Sequence, residues 1–264
     1  MLVKLSTKQA RKRRAKDLFG EIGIPRKLLN INNTYKTAKG LDLDVSTAIL
    51  YLAPYDESGV NLCPKASKGC ARSCLYTAGH GSMDVVERAR LSKTHYYLRK
   101  KAAFMLHLEK DIAAFRRNAK RRGLVPCVRL NGTSDIHWER KGFVGADGQW
   151  YESMMHRFPD LQFYDYTKFT PEERPGVAEL DNYHVTFSRA EDNHDRAMQA
   201  LDGGWNVAVV FRKHLPETWQ GVPVLDGDVS DVRFYDKPGH VVGLKAKGQA
   251  RKDTSGFVVD GGER

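Results

Sequence analysis

Three cysteines fall within twelve residues in the run Cys63-Pro-Lys-Ala-Ser-Lys-Gly-Cys70-Ala-Arg-Ser-Cys74. A loop this short, holding a proline and a glycine, can bring three thiols to one centre without help from the rest of the fold. Thiolates are soft donors that select zinc or iron–sulfur clusters over hard, oxygen-seeking cations. A structural zinc site uses four protein ligands, whereas a 4Fe–4S cube held by three cysteines leaves one iron open. Cys63, Cys70 and Cys74 are therefore read as cluster ligands, with a Cys₃His zinc site completed by His80 as the competing arrangement. Lys65, Lys68 and Arg72 in the same loop offset the charge of thiolates and sulfides. The fourth cysteine, Cys127, lies inside an apolar run and reads as a small buried hydrophobe.

The elements that must position this loop are short apolar runs, each closed by polar residues. The first is Ser46–Ala53, stopped by Pro54, directly before the cysteines. After it come Val125–Leu130, Leu161–Tyr164, Tyr183–Phe187, Asn206–Phe211, Val222–Leu225 and Val241–Leu244. Between the cysteines and the second run lies a long helical region, with Ser82 as its expected N-cap and Gly123 as its stop, read as two helices. A further helix is expected over Asp192–Leu201. Alternation of strands and helices with continuous apolar strands predicts an α/β fold with a parallel sheet. Polar strand ends fit a TIM-like barrel, incomplete or irregular, where such ends form one mouth; a doubly wound open sheet is the alternative. The expected organisation is a basic N-terminal arm over residues 1–40 and a single barrel domain over 41–264, with the cluster loop at 61–81.

The mouth of that barrel would collect Asn131, Ser134, Asp135, Tyr166, Lys168, Ser188, Arg189, Asp226, Asp228, Lys245 and Lys247. Mixed acids, bases and hydroxyls at one rim suit a small polar or anionic ligand. Arg189 and Lys168 are the choices for holding a carboxylate or phosphate, and Asp135 for general acid–base work or a ribose hydroxyl. Asp226-Gly-Asp228 lacks a full calcium-loop pattern and reads as a tight turn.

The chain of 264 residues carries 43 Lys and Arg against 32 Asp and Glu, a net +11. Residues 1–122 hold 26 cations against 10 acids, while residues 123–264 hold 17 against 22. The basic half, including the run from Lys4 to Lys16, predicts contact with something anionic, nucleic acid first; a solvated helix face is the plainer explanation. No apolar run reaches the roughly 18 residues of a membrane helix, and no secretory apolar segment follows the basic start, so a cytoplasmic protein is expected. Four cysteines in a chain this long do not make a disulfide scaffold.

The three-cysteine loop after the first barrel-like strand resembles, in placement, that of the radical S-adenosylmethionine enzymes. The spacing here differs from that superfamily's C-x3-C-x2-C, and Ser73 stands where its aromatic precedes the last cysteine. The chain more closely resembles the phage gene product 88-like family from about Leu41 onward. The shared elements are Cys74-Leu-Tyr-Thr-Ala-Gly79, Val128-Arg-Leu-Asn-Gly-Thr-Ser-Asp135, Phe163-Tyr-Asp-Tyr-Thr-Lys168 and Val185-Thr-Phe-Ser-Arg189, then Gly243-Leu-Lys-Ala-Lys-Gly248 through Phe257-Val-Val259. The resemblance implies a viral protein of the host cytoplasm and a barrel with a cysteine-bound cluster.

The expected function is thus a 4Fe–4S-dependent enzyme acting on a small polar or anionic substrate. Two chemistries fit: a radical one, in which the open iron chelates S-adenosylmethionine and an electron donor drives its cleavage, and a Lewis-acid one. The rival expectation is a nucleic-acid-binding protein in which the metal only staples the loop. Its cations would be Arg99, Lys100, Lys101, Arg116, Arg117, Lys120, Arg121 and Arg122.

Overall fold

All seven apolar runs become strands of one ten-stranded sheet in a computed structural model, which describes residues 23–75 and 79–261. The basic run Lys4–Lys16 lies outside the described residues. In chain order the strands are β1 (Leu29–Ile31), β2 (Val45–Leu50), β3 (Val125–Arg129), β4 (Phe143–Val144), β5 (Trp150–Tyr151) and β6 (Gln162–Thr167). They continue with β7 (Tyr183–Ser188), β8 (Val207–Phe211), β9 (Thr218–Trp219), β10 (Val222–Asp226), β11 (Val241–Lys245) and β12 (Val258–Val259). The helices are α1 (Tyr35–Lys39), α2 (Lys68–Arg72), α3 (Asp84–Arg99), α4 (Lys101–Arg121), α5 (Met154–Arg157) and α6 (His194–Asp202).

The sheet order is β1-β2-β3-β6-β7-β8-β11-β10-β9, with β12 added to β8 and a separate β4-β5 hairpin. Neighbours are parallel except β1 on β2 and β9 on β10. The chain winds strand by strand from β2 to β8, as a barrel does, and β11 then inserts between β8 and β10. The path stops at β1 and β9, so the closed TIM-type barrel expected from the sequence is not seen among the described residues. Both end strands are short and antiparallel. β9 turns back on β10 through Gln220 and Gly221, at φ 52° and 78°, a two-residue turn of the kind that closes hairpins rather than sheets.

Helices cover one face. Phe104, Met105, Leu108, Ile112, Phe115 and Ala119 recur at helical spacing on α4 and bury against Leu50, Val128, Phe163 and Val185. α6 packs on Phe187, Val207, Val209 and Phe211; Val185 and Phe187 are two apart on β7 and so share a face. The doubly wound alternative puts helices on both faces, and here the opposite face is covered instead by the segment after β10. Val232 and Phe234 of that segment pack on Val45, Cys127 and Tyr164.

The long helical region is two helices, broken at Lys100 (φ −132°, ψ 53°). Its N-cap is Met83, not Ser82; the Ser82 hydroxyl donates to the Gly79 carbonyl within the preceding 3-10 turn. Residues 29–39 hold β1 and α1, which join the sheet through the β1–β2 ladder. Among the described residues no helix is long and apolar enough to cross a membrane.

Candidate cysteine centre and strand-end network

The loop between β2 and α3 folds over the C-terminal ends of β3, β6 and β7. Its fixings are specific. Asp135 donates its N–H to the Leu62 carbonyl (2.8 Å), and the Cys63 thiol donates to the Thr133 carbonyl (3.6 Å). Lys65 pairs with Glu173 (2.8 Å) in the loop after β6. Glu191, just beyond β7, accepts from the Ser67 hydroxyl (2.6 Å) and the Gly69 N–H (2.7 Å), clamping the start of α2. Gly69 is required there, because a Cβ would lie 2.2 Å from the Ser255 hydroxyl and 2.7 Å from the Glu191 carboxylate.

Cys63, Cys70 and Cys74 are all half-buried. Burial pushes the Cys63 thiol up to about 12, and Cys74, Asp135 and Cys70 add to the rise, so the three sulfurs lie within electrostatic reach. Cys63 Sγ also accepts the Tyr55 N–H (3.4 Å), the kind of contact that supports a sulfur ligand's charge. Tyr55 is held at φ 46°, a left-handed conformation uncommon outside glycine, beside this contact. Among the described residues, no three His, Cys, Asp or Glu side chains are gathered as a metal-holding group. The side chain of His80 lies outside that description. Cys127 sits deep in β3, paired in register with Thr47 and hydrogen-bonded to its hydroxyl (3.2 Å), away from the loop.

The mouth candidates separate into three groups. Asp135, Lys168 and Ser188 come together: Asp135 accepts from the Thr167 hydroxyl and the Lys168 N–H (both 2.8 Å), and Lys168 Nζ reaches the Ser188 hydroxyl and carbonyl (3.0 and 3.1 Å). Burial raises the Asp135 carboxyl, opposed by the Lys168 N–H and by Arg174. Asn131 and Ser134 lie beside this group but serve the turn. Asn131 Oδ1 accepts from the Ser134 hydroxyl, the Ile136 N–H and the Trp138 indole, which satisfies it inside the protein. Arg189 points elsewhere, donating to the Gly256 and Phe257 carbonyls at β12.

Asp226, Asp228, Lys245 and Lys247 form a second group at the β10–β11 end. Asp228 binds Lys36 (2.7 Å), Lys247 (2.9 Å) and the Lys245 N–H (2.9 Å), and Lys245 stands 3.9 Å from Asp226. That is an ion cluster closing a turn. Tyr166 forms the third group alone, on the sheet face away from α4, with its ring 4.7 Å from the Arg129 guanidinium.

Two buried residues that sequence reasoning did not select complete the network. Asp165 accepts from the Asn131 N–H (2.7 Å) and the Tyr183 hydroxyl (3.0 Å), and burial pushes its carboxyl up to about 7. Arg174 pairs with Glu139, touches Tyr183 (3.0 Å) and lies 3.9 Å from Asp135. Asp165 was hidden because β6 runs on through Thr167, past the expected end at Tyr164. No motif marks Arg174, whose partner Glu139 is 35 residues away.

No curated protein and no solved structure matches this chain. A family model described as gene product 88 matches residues 8–261, which takes in the loop, the strand-end network and part of the basic segment, and the chain therefore belongs to the gene product 88 family.

Proposed function

We propose that Cys63, Cys70 and Cys74 ligate a 4Fe–4S cluster and that the protein is a cluster-dependent enzyme for a small polar substrate. What supports this reading is the placement of three half-buried cysteines on one clamped loop, beside the Asp135–Lys168–Ser188 network at the strand ends. The donor set fits such a group: three soft sulfurs, one supported by a backbone N–H, and a fourth cysteine engaged deep in the sheet. The cluster would supply one-electron or Lewis-acid chemistry at its open iron. The chain's own share is to exclude water around the loop, to place the buried Asp135 carboxyl, which burial raises, and to offer Lys168 Nζ to an anionic group. A brown, anaerobically purified protein whose visible absorption is lost in each of Cys63→Ser, Cys70→Ser and Cys74→Ser, and retained in Cys127→Ser, is the expected result. Colourless protein from iron-replete anaerobic cells refutes it. Adding S-adenosylmethionine to the reduced protein while recording its electron paramagnetic resonance spectrum tests the radical version, which requires the signal to change.

The nucleic-acid reading is favoured by one observation of its own. Arg116 and Lys120 share the single carboxylate of Asp160, and Lys100, Lys101, Arg117 and Arg122 stand exposed along the outer side of α4, whose two acids, Glu109 and Asp111, turn inward to partners. Replacing these four cations by Gln is expected to weaken DNA binding and flatten its salt dependence. Unchanged affinity and slope would dismiss this surface.

A further inference from the structure

The sheet face away from α4 should be apolar if it only receives the segment after β10. Its middle is instead strongly polar. Alternate residues along the strands place Arg129 of β3, Tyr164 and Tyr166 of β6, and Thr186 of β7 on this face. The segment after β10 lays Asp231 and Arg233 over them. Arg129 Nη1 and the Tyr164 hydroxyl converge on Asp231 Oδ2, at 3.2 and 2.9 Å. Arg233 is 2% exposed and donates to the Ser230 carbonyl (2.6 Å), with Asp236 at 3.1 Å from its Nη1.

These contacts leave donors over. Arg129 Nε, both Nε and Nη1 of Arg233, and the hydroxyl of Thr186, which is wholly buried, have no hydrogen-bond partner among the described residues. Tyr166, half-buried, stands beside them with its ring 4.7 Å from the Arg129 guanidinium. A folded protein leaves few buried polar groups unpaired, because each costs the desolvation it never recovers. Here three donor-bearing residues on one face, Arg129, Arg233 and Thr186, are incompletely paired. Asp231 and Asp236, the latter with an Oδ2 that itself lacks a hydrogen-bond partner, balance the charges of Arg129 and Arg233, but the Nε of both arginines and the Thr186 hydroxyl remain as unpaired donors, which suits an oxyanion rather than a cation or an apolar group.

We propose that Arg129, Arg233, Tyr166 and Thr186 form an oxyanion-binding site for the carboxylate or phosphate group of a ligand. The site replaces Arg189, which is committed to β12, as the anion holder. It stands without the cluster reading, and it deepens that reading by naming an anionic substrate class.

The test is the melting temperature of the full chain titrated with inorganic phosphate and, separately, with oxalate at constant ionic strength. At least one probe is expected to raise it saturably, and the tighter of the two identifies the group. Tyr166→Phe removes one hydroxyl and keeps the ring beside Arg129, so the unliganded protein should melt as the parent does while the apparent Kd rises about tenfold. Thr186→Val is expected to keep or raise the unliganded melting temperature and to weaken the same probe. Lys110→Gln, on the outer side of α4, should leave the Kd unchanged, and Cys63→Ser should still bind, which separates this site from the cysteine centre. No saturable shift with either probe, or parental Kd values in both Tyr166→Phe and Thr186→Val, would overturn the proposal.

Discussion

Asp165 shows what a single buried carboxyl does to this fold. It lies unexposed in the middle of β6, and burial pushes it up to about 7 from the ordinary 3.8. Between those values the folded chain holds a proton that the unfolded chain has released. The stability this group contributes is therefore complete below about pH 4 and lost as pH rises through 7. His184 runs the other way: burial lowers it to about 4, so its contribution is complete above 6.5 and lost as pH falls. Comparing wild type with Asp165→Asn cancels the histidine. The stability of wild type relative to the variant should fall from pH 5 to 7 by up to about 1.4 kcal/mol per unit, read from urea midpoints; parallel curves would show that Asp165 is ionised throughout. Spacing alone puts the three loop cysteines on one short loop, where the structure has them half-buried, but among the described residues they are not gathered as a metal-holding group. Asp165 and Arg174 were not legible, because their chemistry comes from burial and from partners distant in sequence, Tyr183 and Glu139, that no local pattern links.

Elements carry the site by two devices, a packed helix and a clamped loop. α4 holds the sheet through an apolar stripe in which Leu108 and Ile112 are fully buried. Leu108→Ala should cost about 2–5 kcal/mol of unfolding free energy, measured in urea, and a loss below 1 kcal/mol would mean the stripe is not the main anchor. Glu191 fixes the loop through Ser67 and Gly69. Glu191→Ala is expected to lower bound iron per chain with little change in melting temperature, whereas iron retained at the wild-type level would show that the loop holds its shape unaided. The seven long strands were legible because continuous apolar runs have few other fates in an α/β chain. β1, β9 and β12 escaped notice because two or three residues carry no periodicity; their existence depends on neighbours already in place. The Ser82 cap failed for a related reason. A serine before a helix has a second use within its own turn, and the Gly79 carbonyl claims it.

At the scale of the molecule, the described residues form a mostly parallel ten-stranded sheet with helices on one face and a polar crossing segment on the other, and no closed barrel is seen among them. Strand alternation cannot tell such a sheet from a barrel, since both begin with the same winding from β2 to β8. What decides is the insertion of β11 between β8 and β10, a long-range choice without a local signal. The charge asymmetry survives folding as an exposed cationic side of α4, while the strand ends, the cysteine loop and the Arg129–Arg233 face lie on other parts of the molecule. These surfaces gain a common purpose only if the loop holds its inorganic group. The direct measurement is iron and acid-labile sulfide per chain, with zinc, in protein purified without oxygen. Iron and sulfide are expected in equal amounts, close to a full 4Fe–4S complement, and both lost on Cys70→Ser. One zinc per chain, or neither metal in a folded protein from iron-replete cells, would contradict it.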